Sequence, residues 1–126
     1  MSDPRRALGA LGERLAGEHL LRAGYRIVER NYRTRYGELD IVAAGDDCLV
    51  FCEVKTRVRG GAGPDPFDSI GGVKRSKVRA MAAQWLAERR AQVDVPPQPD
   101  LRFDAIGVSL SPSGRLLSLD HLEGAF

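Results

Sequence analysis

The residues of this chain best suited to chemistry are Asp40, then, after a spacer of twelve residues, Glu53 and Lys55, with Glu38 two positions before Asp40. They lie in apolar runs, Leu39-Asp40-Ile41-Val42 and Val50-Phe51-Cys52-Glu53-Val54-Lys55, that otherwise read as sheet core. Desolvating unpaired charge in such a place costs roughly several kcal/mol, which something must offset. Carboxylates facing each other across adjacent strands repel, and a hard divalent cation is the simplest way to hold both ionised. Oxygen donors without a His or Cys cluster favour Mg²⁺ or Mn²⁺ over zinc. Such a metal polarises a phosphoryl oxygen and lowers the pKa of a bound water, while a nearby lysine can position that water or stabilise developing charge. The chemistry would be phosphodiester cleavage. The same spacing also fits a plain cross-strand salt bridge between Asp40 or Glu53 and Lys55 or Arg57.

Several elements must position these groups. From Arg5 to Ala23 the apolar residues Leu8, Leu11, Leu15, Ala16 and Leu20 recur at helical spacing, and Gly24 ends the helix. Glu13 and Glu18 flank that stripe on opposite sides, and geometry alone does not choose between them. Tyr25 to Asn31 reads as a short strand leading to a basic connection, Arg33-Thr34-Arg35. The segments Glu38 to Ala43 and Leu49 to Arg57 are joined by Ala44-Gly45-Asp46-Asp47, which signals an antiparallel hairpin. Alternation then puts Glu38 and Asp40 on one side of their strand, and Glu53 and Lys55 on one side of theirs. If those sides coincide, the four heads converge.

Val58 to Gly72, rich in glycine and proline, resists regular structure and reads as a mobile loop over one sheet edge. It lacks the Gly-Lys-Ser/Thr ending of a phosphate-binding loop. A second helix spans Val73 to Arg90, with Val78, Met81, Ala82, Trp85 and Arg89 on one stripe and Lys74 on the extension of that stripe, Lys77 beside it. Snorkelling explains Lys74 as well as an anion in a cleft does. After a proline-rich connection, Leu101 to Val108 and Arg115 to Leu119 form two further strands about a Ser-Pro-Ser-Gly turn. The order predicts an α/β or α+β domain with one mixed sheet of about five strands flanked by helices.

A chain of 126 residues fits a single domain, 1–126, with a real core. No apolar run approaches the ~20 residues of a membrane span, and the N-terminus lacks a signal-peptide pattern, so a cytoplasmic protein without membrane contact is expected. Cys48 and Cys52 would lie about 13 Å apart along a strand, too far for a disulfide. The net charge of +2 demands no polyanionic partner, but Lys74, Arg75, Lys77, Arg79, Arg89 and Arg90 oppose only Glu88 between positions 73 and 90. A basic helix for a phosphate backbone and a solvated helix face both follow from that. His19 and His121, each isolated in sequence from other ligand types, read as surface or satisfied histidines. Trp85 reads as core, and Arg102 and Asp104 as partners on one strand face.

Taken together, Gly12-Glu13 with Ala16 and Leu20, Gly24-Tyr25, Arg30-Asn31, Gly37-Glu38-Leu39-Asp40, Phe51 to Arg57, Lys74 with Lys77, and Arg102-Phe103-Asp104 resemble the YraN-like family of small bacterial proteins. That family is similar in turn to archaeal Holliday-junction resolvases of the PD-(D/E)XK nuclease superfamily, with its restriction-endonuclease-like fold. The resemblance runs from Leu8 to about Leu110. It implies that Glu13, Asp40, Glu53 and Lys55 are the catalytic set, with Glu13, Asp40 and Glu53 as metal ligands and Glu38 as an accessory carboxylate. It further implies that Lys74, Lys77, Arg57 and Arg75 contact nucleic acid, DNA above all, and that a homodimer can form. Two departures, Cys52 where such sequences usually carry Val and His19 where an aromatic is common, remove no catalytic group. Three functions follow for testing: a Mg²⁺- or Mn²⁺-dependent endonuclease, with branched or junction DNA among its candidate substrates; a nucleic-acid-binding module without catalysis; and a protein-interaction scaffold with its carboxylates locked in salt bridges.

Overall fold

The computed structural model describes residues 4–59, 72–95 and 99–126, with the side chains of residues 4, 5 and 72–75 left aside. The expected loop between the hairpin and the second helix falls outside the described residues over 60–71. Two α-helices, α1 (Pro4–Arg22) and α2 (Gly72–Arg89), accompany five strands: β1 (Arg26–Thr34), β2 (Gly37–Ala44), β3 (Cys48–Val58), β4 (Asp100–Leu110) and β5 (Leu116–Leu122). They form one sheet in the order β1-β2-β3-β4-β5. The β3–β4 pair is parallel and the other pairs are antiparallel. The chain is therefore an α/β protein with a mixed five-stranded sheet, consistent with a restriction-endonuclease-like fold.

Period-two alternation divides the sheet residues between two cores. On one face Ile41, Ala43, Val50, Cys52, Val54, Ile106 and Val108 pack with Ala16 and Leu20 of α1. On the other, Val42, Ala44, Leu49, Phe51, Phe103 and Ala105 pack with Val78, Met81, Ala82 and Trp85 of α2. Parallel strands need a crossover, and α2 lies in the one that joins β3 to β4. Trp85 is fully buried; its ring meets Phe51 edge-on, and its Nε1 donates to Glu29 Oε1 at 2.8 Å.

α1 ends as its sequence predicts. Gly24 has φ +97°, Gly24 N donates to Leu21 O at 3.1 Å, and Tyr25 N donates to Leu20 O at 2.9 Å, which closes the last turn as a Schellman motif. The expected basic connection after β1 is corrected. Arg33 and Thr34 belong to the strand, paired with Glu38 and Gly37. The reason is local: Thr34 Oγ1 accepts from Tyr36 N at 3.0 Å and donates to Gly37 O at 3.1 Å, closing a tight turn that a run of basic residues disguises. Both cysteines are free thiols, and burial, then the Asp104 carboxylate, pushes the Cys52 thiol above its ordinary range against the pull of Arg102.

Candidate metal centre

The site forms where β2 and β3 part. Their ladder runs from Ala44↔Leu49 to Ile41↔Cys52. Leu39 packs on the α2 side, whereas Ile41 packs on the α1 side, so alternation breaks at the residue between them. That residue is Asp40, and its side chain takes over from the ladder: Oδ2 accepts from Val54 N at 2.7 Å. A break of this kind re-aims a side chain and ends pairing, as bulges beside functional sites do.

α1 brings the next carboxylate. A Cβ on Gly12 would lie 1.9 Å from Thr56 Oγ1, so only glycine lets the helix backbone sit this close to β3. Glu13 follows directly. Oxygens of Glu13, Glu38 and Asp40, all half-buried, lie within 4.8 Å of one another. Oxygen ligands at 2.0–2.6 Å from a cation lie at most about 4 to 5 Å apart, so the donor set fits a hard divalent ion with little movement. Glu18, the alternative on the same helix, is exposed.

The electrostatics agree with that fit. Burial first, then repulsion from Glu13, Glu53 and Glu38, pushes the Asp40 carboxyl up to about 7 from 3.8, with only the Val54 hydrogen bond opposing the rise. Burial and then Glu38 also raise Glu13, against the pull of Arg30. Without a cation, Asp40 and Glu13 resist ionisation.

Glu53 and Lys55 occupy a neighbouring position. Val54 faces α1, so alternation turns Glu53 and Lys55 toward the α2 side. Lys55 Nζ lies 3.0 Å from Glu53 Oε1. Glu53, Glu38 and Lys77 line a cavity of about 130 Å³ whose apolar wall includes Leu39, Val78 and Met81. Among the predicted metal ligands, Glu13 and Asp40 thus come together. Glu38, expected as an accessory group, joins them, while Glu53 stands beside the cluster and acts on Asp40 by its charge. Arg57 follows Lys55 by two residues on β3, and Lys77 is exposed at the cavity. The side chains of Lys74 and Arg75 lie outside the described residues.

Two groups escaped the reading of chemistry-bearing residues. Asn31, with its amide nitrogen turned to the acids, donates to Glu38 Oε1 at 2.7 Å and Glu13 Oε2 at 3.2 Å, clamping two of the three carboxylates. Its φ of 55° makes it the one non-glycine residue with positive φ among the described residues, a conformation asparagine tolerates better than most. No spacing rule would have found it. Arg33 reaches Glu38 Oε2 through Nε at 3.3 Å, visible in sequence only as part of a basic run.

Away from this centre, Asp104 is fully buried and fully engaged. Arg102 donates to it through Nε and Nη2, both at 2.9 Å at closest, Gly124 N donates at 3.0 Å, and His121 Nε2 lies at 2.7 Å. His121 Nδ1 in turn meets His19 Nε2 at 3.0 Å. The two histidines are satisfied, as expected, but they are not isolated: the fold joins them across 102 positions. Burial, then His121 and Arg22, holds His19 below the usual imidazole range.

Fold and site together define an α/β protein with a half-buried carboxylate triad that could hold a metal ion. The chain belongs to the uncharacterised protein family UPF0102, whose sequence model matches residues 12–108. It is 42% identical over 122 residues to a UPF0102 protein of Nocardia farcinica, covering 97% of this chain and 91% of that one. A UPF0102 protein of Alkaliphilus oremlandii is 41% identical over 119 residues, 94% of this chain and 97% of its own. One from Pelotomaculum thermopropionicum is 40% identical over 126 residues, the full length of both. Among the described residues, no helix is long and apolar enough to cross a membrane.

Proposed function

We propose that this protein is a metal-dependent phosphodiesterase acting on DNA, with Mg²⁺ or Mn²⁺ held by Glu13, Glu38 and Asp40. The observation that carries the reading is the convergence of these three carboxylates, one from α1 and two from β2, at the parting of β2 and β3. When bound, such an ion supplies a Lewis acid for a phosphoryl oxygen and a water of lowered pKa. The protein's own groups do the rest. Asp40 is oriented by Val54 N, and Asn31 holds Glu13 and Glu38 in register. Lys55, kept in place by Glu53, stands ready to orient the attacking water or stabilise developing negative charge. Lys77, at the cavity shared with Glu53, is a phosphate contact.

The test is a panel of single strands, duplexes, flaps and four-way junctions incubated with either metal. Cleavage of at least one substrate is expected, together with its loss in Glu53→Ala while DNA binding survives. A panel that stays intact with both metals overturns the reading. One observation favours the scaffold alternative, the Lys55–Glu53 ion pair at 3.0 Å, and the stability of Asp40→Asn separates the two.

A further inference from the structure

Arg6, Gly9, Ala10 and Glu13 fall at helical i, i+3, i+4 and i+7 spacing, so they form one stripe along α1. Facing this stripe across an open groove of about 660 Å³ are Asn31 and Arg33 of β1 and Glu38 of β2. Its lining is graded: exposed arginines on both walls, small residues between, carboxylates of the metal centre at the end. A Cβ on Gly9 would meet nothing within 4 Å, so the middle of the stripe is open.

We infer that this groove is the track for one strand of the nucleic acid, with Arg6 and Arg33 holding backbone phosphates that lead to the carboxylates. The inference rests on the reading of Glu13, Glu38 and Asp40 as the reaction centre. Seven residues of helix separate Arg6 from Glu13, about 10 Å, which at about 3.4 Å of rise per nucleotide spans about three nucleotides. A small phosphate ester cannot bridge that distance, whereas an oligonucleotide does. The Arg33 side chain is 84% exposed, and it reaches Glu38 Oε2 through Nε at 3.3 Å. A guanidinium has five donors, so Arg33 can keep that contact and still grip a phosphate. The cations expected to bind nucleic acid lie on β3 and α2; Arg6 and Arg33 belong to α1 and β1.

Fluorescence anisotropy of a labelled oligothymidylate and a duplex of equal length, in Ca²⁺ and at about 50 to 200 mM salt, tests the track. The wild type, the Arg6→Ala/Arg33→Ala double variant and an Arg115→Ala control are compared, with thermal melts to confirm equal folding. The double variant should bind the single strand about tenfold or more weakly, with a salt slope shallower by about 1.4, or about 0.7 for each lost phosphate contact. Arg115→Ala, in the β4–β5 turn, should match the wild type. Wild-type affinity and slope in the double variant would overturn the track even if the protein cleaves DNA. Loss of binding in the double variant, with no cleavage of any substrate by the wild type, would leave the track standing and remove the phosphodiesterase reading. A wild type that binds neither probe would overturn both.

Discussion

At the scale of the residue, Asp40 governs the site. Its carboxyl is pushed up to about 7, so the metal-free protein gains stability from its protonation. That contribution is fully present below the ordinary value of 3.8 and is lost as pH rises through about 7, a difference on the order of 4 kcal/mol. The melting temperature of the metal-free wild type should therefore fall between about pH 5 and pH 8. Asp40→Asn keeps an oxygen for Val54 N but cannot ionise. It should melt above the wild type at the upper end of that range, with the gap closing at the lower end. Mn²⁺ should raise the wild-type melting temperature and leave Asp40→Asn largely unmoved. A variant that melts below the wild type throughout would instead favour a salt-bridged scaffold. Glu38 and Asp40 were legible in the sequence because charge on an apolar strand is anomalous, whereas Glu13 was set apart from Glu18 only by the family resemblance. Asn31 was not legible, because its role comes from an unusual backbone conformation that brings its amide between two acids from other elements.

At the scale of the element, the approach of α1 to β3 sets where Glu13 stands. Gly12→Ala places a methyl group against Thr56 and should destabilise the protein by about 1–3 kcal/mol, read as a lower denaturation midpoint in urea. Thr56→Ala removes Oγ1 and Cγ2 from the contact and should recover part of the loss. Unchanged stability in Gly12→Ala would show that the helix can rise off the strand at no cost. Both helices and the β2–β3 hairpin were legible from apolar periodicity and the Gly-Asp turn, since long amphipathic patterns state which face is buried. The end of β1 was not, because the Thr34 hydroxyl closes a turn that carries neither proline nor Asn-Gly.

At the scale of the whole molecule, Asp104 joins parts that are distant in sequence. Arg102 on β4, His121 on β5, Gly124 near the chain's end and, through Arg102 Nη2 at 2.6 Å, Tyr25 after α1 all meet around it. His19 extends the network onto α1. Removing one partner of a buried ion pair leaves the other uncompensated, so Asp104→Ala should cost about 3–5 kcal/mol in chemical denaturation. A cost within the range of an ordinary surface substitution, about 0.5 kcal/mol, would show that Arg102 and His121 find other partners. This hub lies apart from the carboxylate triad, so its loss should act through stability.

By itself the sequence determined the class of the fold, the two helix faces, the hairpin that carries the acids and the presence of charge where apolar residues belong. All of these follow from local periodicity and from the cost of burying charge. Only the tertiary structure decided which acids meet. The alternation break at Asp40 and the close seat of α1 on β3 bring Glu38, Asp40 and Glu13 together, while unbroken alternation in β3 leaves Glu53 and Lys55 beside them. Strand register and helix approach are settled by packing across the whole sheet, and no local spacing encodes them.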